Sequence, residues 1–270
     1  MKLTFEELRS RFLAAQAVAA EAGRLAQGFL AEPQRLEIVL KGPQDLVTAA
    51  DLAIERLIAD RLARLFPDDA FLAEESYVEA HSKDATALWV IDPIDGTGNF
   101  AGGRPDWCVS IGFMSLGEPA IGVIDVPAAG EQYAAWRGQG ATRNGKPVRV
   151  SGRTSLAEST LGVDFSFRSP PEPYLGIVEA LLRKRAEYRR NGSSALSLAH
   201  VASGRLDGFV ELHLYPWDVM AGIVLVREAG GWVSDFLGQG GLDGGGPVIA
   251  SAPGIRDELV AVLETFVGRT

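Results

Sequence analysis

The sequence predicts a mixed α/β or α+β fold in which sheets and helices are stacked in layers. Between residues 109 and 150, short apolar and β-branched runs are separated by glycine turns, which is the pattern of an antiparallel sheet. From residue 161 onward, strand-like and helix-like segments alternate, as they do where helices pack on sheets. We therefore expect two lobes, residues 1–150 and 151–270, joined in a single continuous fold.

The first lobe is expected to begin with helices. Thr4-Phe5-Glu6-Glu7 has the spacing of a capping box, and the alanine-rich pattern after it predicts a helix to about Leu30, which Pro33 ends. A strand near residues 36–40 and a helix over residues 49–65 follow. The apolar residues of this second helix favour one face. The residues assigned to that face are Leu52, Leu57, Ile58, Leu62 and Leu65.

The later elements are predicted from apolar runs bounded by turn residues. In the first lobe, strands are expected at about residues 70–73, 88–91, 109–114, 120–125, 132–137 and 141–150. In the second lobe, the expected strands are 161–165, 208–212 and 248–251, and the expected helices are 174–184, 194–202, 219–228 and one after residue 251. The glycine-rich segment 238–247 predicts a mobile turn, not a nucleotide-binding loop, since no Lys-Ser or Lys-Thr follows it.

Composition and charge argue against several classes of protein. The chain has 270 residues, of which 47% are hydrophobic and 23% charged, as in ordinary globular proteins. A net charge of −9 argues against nonspecific attraction to nucleic acids or acidic membranes, so neither is expected as a direct partner. Cys108 is the single cysteine and cannot form an internal disulfide. Because no signal peptide or membrane span is recognised either, a cytoplasmic location is expected.

The most informative segment is Asp92-Pro93-Ile94-Asp95-Gly96-Thr97, which follows the apolar run 88–91. A strand of that composition is buried, so its end is expected at a sheet edge, where α/β proteins usually bind ligands. Asp92 and Asp95 offer the oxygen ligands that Mg²⁺ prefers, and the glycines around Thr97 offer backbone N–H groups to a phosphate. The same residue types also form ordinary surface turns, so this hexapeptide alone leaves both interpretations open.

Two further acidic segments favour the functional interpretation. Glu74-Glu75-Ser76 follows another apolar run, residues 71–73, and Asp218 stands at the start of a predicted helix within the segment Pro216–Gly222. Acidic residues thus stand at the ends of three predicted strands or helices, and such residues are the ligands expected in a site for hard metal ions. A metal-dependent reaction on a phosphate is therefore the leading hypothesis.

The order and spacing of these motifs resemble the inositol monophosphatase family of Mg²⁺-dependent, lithium-sensitive phosphatases. The resemblance extends over nearly the whole chain. The positions that carry it are Lys41, 45–51, Glu74-Glu75-Ser76, 92–100, Asn144-Gly145, Gly192-Ser193-Ser194, 206–208, Glu211, 216–222 and 228–231. The resemblance implies a layered αβαβα sandwich of the type shared with fructose-1,6-bisphosphatase, and a homodimer.

The resemblance also implies the metal ligands. Glu74, Asp92 and the carbonyl oxygen of Ile94 are expected to hold one Mg²⁺, and Asp92, Asp95 and Asp218 a second, so that Asp92 bridges the two. A third, looser ion near Glu74 is typical of the family. Two to three Mg²⁺ ions per active site are therefore expected.

The remaining roles follow from the same resemblance. Thr97 is expected to orient or deprotonate the attacking water, with Asp51 as its carboxylate partner, and Glu74 also counts among the catalytic residues. The residues expected to contact the substrate are Gly96, Thr97, Gly192, Ser193, Ser194, Glu211 and Asp218. The implied reaction is direct attack on the phosphate by metal-activated water, without a covalent intermediate.

The identity of the substrate stays open. The expected partner is a small polyol or sugar phosphate monoester, with inositol 1-phosphate as the default and histidinol phosphate, fructose 1,6-bisphosphate and 3′-phosphoadenosine 5′-phosphate as alternatives. A regulatory, protein-binding member of the family is a second hypothesis. Met220 stands where the Trp-Asp motif commonly has a small residue, and it faces either the core or the pocket. His213 is close to the predicted site and is able to touch the substrate.

Overall fold

The computed structural model describes residues 3–32, 34, 36–42, 45–75 and 85–267. Its helices are α1 (Phe5–Ala31), α2 (Ala49–Leu65), α3 (Thr97–Ala101), α4 (Pro171–Arg183), α5 (Ser194–Ala202), α6 (Pro216–Glu228), α7 (Gly241–Gly244) and α8 (Arg256–Val267). Its first nine strands are β1 (Val39–Gly42), β2 (Asp45–Val47), β3 (Ala70–Ala73), β4 (Ala87–Asp95), β5 (Cys108–Ser115), β6 (Glu118–Val126), β7 (Glu131–Trp136), β8 (Ala141–Arg143) and β9 (Lys146–Val148). The others are β10 (Thr160–Val163), β11 (Glu187–Arg189), β12 (Gly208–Leu214), β13 (Trp232–Val233) and β14 (Gly246–Ser251).

The larger sheet has seven strands in the order β3-β4-β5-β6-β7-β8-β9. Strands β3 and β4 are parallel, and every later pair is antiparallel. This arrangement confirms the antiparallel sheet predicted for residues 109–150. It also places the end of β3, next to Glu74, beside the acidic end of β4.

The smaller sheet has five strands in the order β11-β10-β12-β14-β13. Strand β10 is parallel to both β11 and β12, whereas β14 is antiparallel to β12 and β13. The carboxyl ends of β10 and β12 therefore lie at the same edge, which brings Asp164 and Glu211 to one side of this sheet. Strands β1 and β2 form a separate hairpin.

The helices separate the two sheets into layers. Helices α1 and α2 pack on one face of the larger sheet, around buried residues such as Ile58, Trp89 and Ile111. Helices α5 and α6 lie between the two sheets, and α4 and α8 cover the outer face of the smaller one. The order is helix, sheet, helix, sheet, helix, which confirms the predicted αβαβα class. Within the described residues, no helix is both long enough and apolar enough to cross a membrane.

A pair of glycines sets the height of α6 above the larger sheet. Gly112 of β5 and Gly122 of β6 face each other in register. A Cβ atom on Gly122 would overlap the carbonyl oxygen of Ala221, and one on Gly112 would lie 2.9 Å from the Cβ of Met220. Met220 is fully buried in this contact. It therefore faces the core, which answers the question left open by the sequence.

The predicted face of α2 is partly wrong. Leu52 and Leu65 are more than half exposed, at 56% and 59%. The buried face instead repeats every four residues and includes Ala50, Ile54, Ile58 and Leu62. Leu52 and Leu65 were expected to be buried because leucine is large and apolar. The buried face of α2 is completed instead by the smaller Ala50 and the β-branched Ile54.

Three other predictions need correction. The segment 141–150 is a hairpin of two strands, because Asn144 and Gly145 both adopt positive φ, 50° and 73°. The segment 238–247 contains the short helix α7 and the start of β14, so it is not simply a turn. The strand expected at residues 36–40 begins only at Val39. Pro33 and Ser76 lie outside the described residues.

Candidate active site

The end of β4 is irregular in a way that places two carboxylates together. Asp92 pairs with Ser110 and Asp95 with Cys108, so three residue steps on β4 oppose two on β5. In a regular strand, residues three apart point to opposite faces. The extra residue forms a bulge, which re-aims side chains, and Asp92 and Asp95 point into the same site. The strand was expected to end at Ile91, but β4 continues through Asp95, and the last two residues of the motif, Gly96 and Thr97, begin α3.

The third carboxylate comes from the first turn of α6. The backbone N–H of Tyr215 donates to Oδ2 of Asp218 at 2.7 Å, and this contact belongs to a capping arrangement at the helix start. The ring of Trp217 stacks on that of Tyr215 with the centroids 4.8 Å apart. Ser110 of β5 donates to the carbonyl oxygen of Trp217 at 3.4 Å, which ties this helix end to the larger sheet.

The carboxylates of Asp92, Asp95 and Asp218 form a buried acidic cluster. One oxygen from each lies within 4.8 Å of the others. Burial, together with the charge of Glu74, raises the pKa of Asp92 well above its usual value. Burial also raises the pKa of Asp218 to about 7, although the guanidinium of Arg168 opposes the shift. Three like charges are expensive to gather away from water unless a cation neutralises them.

One atom of the acidic cluster indicates that a cation belongs there. Oδ1 of Asp92 is buried without a hydrogen-bond donor. Buried carboxylate oxygens are normally satisfied, so an orphaned one requires an explanation. An all-oxygen set of aspartates is the ligand type that Mg²⁺ prefers, and these residues therefore fit a magnesium site.

Glu74 lies beside the acidic cluster. Its backbone N–H donates to the carbonyl oxygen of Ile91 at 3.2 Å, which extends the β3–β4 pairing by one residue. Its side chain is outside the set of three mutually close carboxylates, but its charge raises the pKa of Asp92. The next residue, Glu75, is held through its backbone N–H by Glu55 of α2 at 2.8 Å.

Thr97 and Asp51 lie together, as the resemblance implies. The hydroxyl of Thr97 donates to the carbonyl oxygen of Ile94 at 3.0 Å and lies 3.4 Å from Oδ1 of Asp51. The other Asp51 oxygen accepts from the backbone N–H and the hydroxyl of Thr48, at 2.8 and 2.6 Å. Burial raises the pKa of Asp51 to about 6, against the opposing effect of these donors. The capping of α2 thus holds a carboxylate of near-neutral pKa against Thr97.

The loop before α5 and the first residues of that helix reach the acidic cluster. Asp95 accepts hydrogen bonds from the Ser193 hydroxyl at 2.5 Å and from the backbone N–H groups of Ser194 and Ala195 at 3.3 and 2.7 Å. These donors favour the ionised carboxylate, although burial has the larger effect and raises the pKa of Asp95. The hydroxyl of Ser194 donates to Glu211 at 2.8 Å. Burial raises the pKa of Glu211 well above its usual value.

Asp164 is a site residue that the sequence analysis missed. Its Oδ1 accepts from the backbone N–H of Gly192 at 3.0 Å, and its Oδ2 accepts from the Ser197 hydroxyl at 3.3 Å. Burial raises the pKa of Asp164 to about 6, and its charge contributes to the raised pKa of Glu211. The signal was available, because Leu161-Gly162-Val163-Asp164 is an apolar run ending in an acid, like residues 88–92.

Two other residues beside the site, Arg168 and His213, make contacts that could not be predicted from the sequence. Arg168 lies 3.7 Å from Oδ2 of Asp218, and no motif marks it. His213 packs edge-on against Tyr215, and its Nε2 lies 3.1 Å from the carbonyl oxygen of Gly244. His213 is thus engaged with the α7 segment.

Comparisons with known proteins agree with this geometry. The inositol monophosphatase family model matches residues 7–266. Nus factor SuhB of Escherichia coli K12 is 40% identical over 261 residues, which are 92% of this chain and 97% of that protein. The inositol-1-monophosphatase of Rhizobium meliloti is 40% identical over 227 residues, 83% of this chain and 85% of that protein. The solved inositol monophosphatase of Anabaena has a TM-score of 0.84 at 36% identity and covers 96% of this chain and 97% of its own. The chain therefore belongs to the inositol monophosphatase family, which is Mg²⁺-dependent.

Proposed function

We propose that this protein is a Mg²⁺-dependent phosphoric monoester hydrolase for small polyol or sugar phosphates, with inositol 1-phosphate as the default substrate. The observation that carries the proposal is the acidic cluster of Asp92, Asp95 and Asp218, in which a buried Asp92 oxygen has no donor. The similarity to an inositol-1-monophosphatase of Rhizobium meliloti supports the phosphatase activity and the default substrate.

The proposed metal ligands are the acidic cluster, Glu74 and the carbonyl oxygen of Ile94. We propose that these residues would hold two to three Mg²⁺ ions. Bound Mg²⁺ supplies the positive charge that neutralises phosphate oxygens and lowers the pKa of water. The chain's own contribution is the fixed placement of the carboxylates by the β4 bulge and by the first turn of α6.

Thr97 and Asp51 are proposed to accept the proton that the attacking water loses. In this structure the Thr97 hydroxyl points its single proton at the carbonyl oxygen of Ile94; turned instead towards Asp51, 3.4 Å away, it is able to donate to that carboxylate and accept a hydrogen bond from the attacking water. With a pKa of about 6, Asp51 is ionised at neutral pH and still basic enough to take a proton. Glu74, directly after β3, is proposed to assist as a further catalytic carboxylate.

The substrate is proposed to lie between the start of α3 and the loop before α5. Gly96 adopts a left-handed conformation, φ 93°, and precedes α3. The carbonyl oxygen of Gly96 accepts from the N–H groups of Asn99 and Phe100, whereas the N–H groups that come earlier at a helix start have no acceptor within the helix. These groups around Gly96 and Thr97 are the proposed phosphate contacts. Glu211 and the segment Gly192-Ser193-Ser194 are proposed to contact the hydroxyls of the substrate, with Asp218 at the boundary between phosphate and polyol.

Phosphate release tests this function. Inositol 1-phosphate, histidinol phosphate, fructose 1,6-bisphosphate and 3′-phosphoadenosine 5′-phosphate are each incubated with the protein, with and without Mg²⁺ and with and without lithium. We expect release that requires Mg²⁺ and is inhibited by lithium, fastest for one ester of the panel. Absence of release from all four, with Mg²⁺ bound to folded protein, would argue against the proposed function.

A protein-binding role is the second candidate. The observation that favours it is the 40% identity to a relative named Nus factor SuhB, which points to a partner connected with transcription. Asp92→Asn separates the two roles, because it removes a proposed metal ligand and leaves the surface unchanged. Loss of hydrolysis with partner binding retained would assign both roles to the chain.

Three broader properties are also proposed. A homodimer rests on the family membership, and a cytoplasmic location rests on the single cysteine, Cys108, which is buried and free. The lobe boundary near residue 150 is supported by the sheets, since the larger one ends at Val148 and the smaller one begins at Thr160. Size measurement in solution tests the dimer most simply.

A further inference from the structure

Arg168 is a cation placed directly at the acidic cluster. Its Nη1 lies 3.7 Å from Oδ2 of Asp218. Among the described residues, it is the cation that forms an ion pair with one of the three clustered carboxylates. The Arg168 side chain is 32% exposed, so the guanidinium is partly open to whatever occupies the site.

The guanidinium is held in place without using its hydrogen-bonding capacity. Its central carbon lies 4.6 Å above the ring of Tyr215, whose backbone N–H binds Asp218. The preceding residues are anchored too, because Arg190 donates to the carbonyl oxygen of Phe165 at 3.1 Å and the rings of Phe165 and Tyr174 pack at 5.2 Å. The 3.7 Å separation from Asp218 is too long for a hydrogen bond. Within the part of the chain that the structure describes, the Arg168 side chain donates none.

A half-buried guanidinium with free donors is a receptor for an anion. Arginine presents its N–H groups in a planar fork that matches the oxygens of phosphate and carboxylate groups. Aromatic stacking fixes the plane of that fork without consuming its donors. Asp218 cannot serve as the permanent acceptor at this distance, and Asp218 is itself a proposed metal ligand. Water is able to reach these donors in the free protein because the side chain is 32% exposed, and an anionic group on the substrate would replace that water.

We propose that Arg168 is a specificity-determining residue that binds a second anionic group on the substrate, next to the phosphate that is hydrolysed. This inference rests on the proposed function. It favours the doubly anionic esters among the candidate substrates, while esters with a single phosphate, such as inositol 1-phosphate, bind without this contact. Arg168 is distinguished in this role from Glu211, whose carboxyl group suits hydroxyl groups.

Two matched pairs of substrates isolate the second anion. Fructose 1-phosphate differs from fructose 1,6-bisphosphate by one phosphate, as adenosine 3′-phosphate differs from 3′-phosphoadenosine 5′-phosphate. Steady-state kinetics are measured for the wild type, Arg168→Ala and Arg168→Lys. Arg183→Ala is the control, because it removes the same charge from an exposed pair with Glu179 on α4.

We expect Arg168→Ala to raise KM at least tenfold for the doubly phosphorylated member of at least one pair. The KM for its singly phosphorylated partner should change less than twofold, and kcat should change little for either. Arg168→Lys should fall between the two, because an ammonium group lacks the bidentate fork. Arg183→Ala should match the wild type.

Equal losses for both members of each pair would show that Arg168 acts on the transferred phosphate, and unchanged kinetics would show that it only packs; either result overturns the inference. Absence of release by the wild type from these esters and from inositol 1-phosphate and histidinol phosphate is a separate outcome, which contradicts the proposed function. Calorimetric titration of the same four esters then tests Arg168 by binding alone. In that case weaker binding of only the doubly phosphorylated esters by Arg168→Ala supports the inference, and identical binding overturns it.

Discussion

The hydroxyl of Ser193 lies 2.5 Å from Oδ2 of Asp95, and this contact joins the loop before α5 to the end of β4. The same carboxylate oxygen accepts from the backbone N–H of Ala195 at 2.7 Å. A carboxylate of the acidic cluster is therefore fixed by a segment about one hundred residues away in the chain. The geometry of the proposed metal site depends on how the smaller sheet and its helices dock on the larger one.

Ser193→Ala should weaken both the fold and the proposed metal site. It removes a donor to a buried charge, which costs about 1–3 kcal/mol of unfolding free energy. It also removes an interaction that favours the ionised form of Asp95, so Mg²⁺ affinity should fall several-fold. Urea unfolding and calorimetric Mg²⁺ titration measure the two effects. Ser203→Ala is the control, since that hydroxyl donates to the backbone carbonyl of Ala199 at 3.0 Å, away from the acidic cluster; an equal effect on Mg²⁺ affinity would refute the assignment.

Asp51→Asn should remove the acid limb of the pH–rate profile. Because burial raises the pKa of Asp51 to about 6, the wild-type carboxylate becomes protonated, and loses its role as a proton acceptor, as pH falls through 6. The variant should lose about 100-fold in kcat at neutral pH, the usual contribution of a general base. Asp60→Asn, on the exposed face of the same helix, is the matched control. An unchanged acid limb in Asp51→Asn would assign the titration to another group.

Gly122→Ala should destabilise the protein because α6 lies too close to β6 for a side chain. The added Cβ would overlap the carbonyl oxygen of Ala221, so the helix must shift. We expect a loss of about 3 kcal/mol of unfolding free energy. Displacement of α6 should also reduce phosphate release, because Asp218 lies in its first turn. Gly152→Ala, where no atom lies within 4 Å of the added Cβ, should change stability little; similar losses for both variants would contradict this packing argument.

His200 should make the fold less stable in acid. Burial lowers its pKa from 6.5 to about 4. The unfolded chain therefore takes up a proton at higher pH than the folded one, and stability is lost progressively as pH falls from 6.5 to 4. We estimate this contribution at about 2 kcal/mol, discounted for partial solvent contact. His200→Gln should show a shallower decline than the wild type when urea unfolding is followed across this range, and parallel declines would rule out His200 as the cause.

Local sequence patterns predicted several helices correctly. The capping box of Thr4 and Glu7 is confirmed at the start of α1, and the bounds of α2 and α5 agree with the prediction. The hairpin at Asn144-Gly145 was missed although asparagine–glycine is a strong turn signal. The turn at these two residues is therefore encoded locally.

Other features arise only from long-range contacts. The bulge that re-aims Asp92 and Asp95 is visible only when β4 is paired with β5, because either strand alone suggests regular alternation. The position of Arg168 depends on the ring of Tyr215, which comes from a different part of the chain. The orientation of Met220 depends on two glycines of the larger sheet. The sequence motifs thus identified the carboxylates, while the packing of sheets and helices determines how they meet. The individual catalytic and ligand roles remain predictions.

The most direct test of the central claim is a thermal unfolding measurement on Asp92→Asn, with and without Mg²⁺, alongside phosphate release from inositol 1-phosphate. The metal-free variant should be at least as stable as the wild type, since a buried carboxylate whose pKa is raised by burial and by its acidic neighbours is replaced by a neutral amide. Mg²⁺ should no longer raise the unfolding temperature of the variant, and phosphate release should be lost. A metal-free variant that is less stable than the wild type, yet is still stabilised by Mg²⁺ and still releases phosphate, would contradict the account.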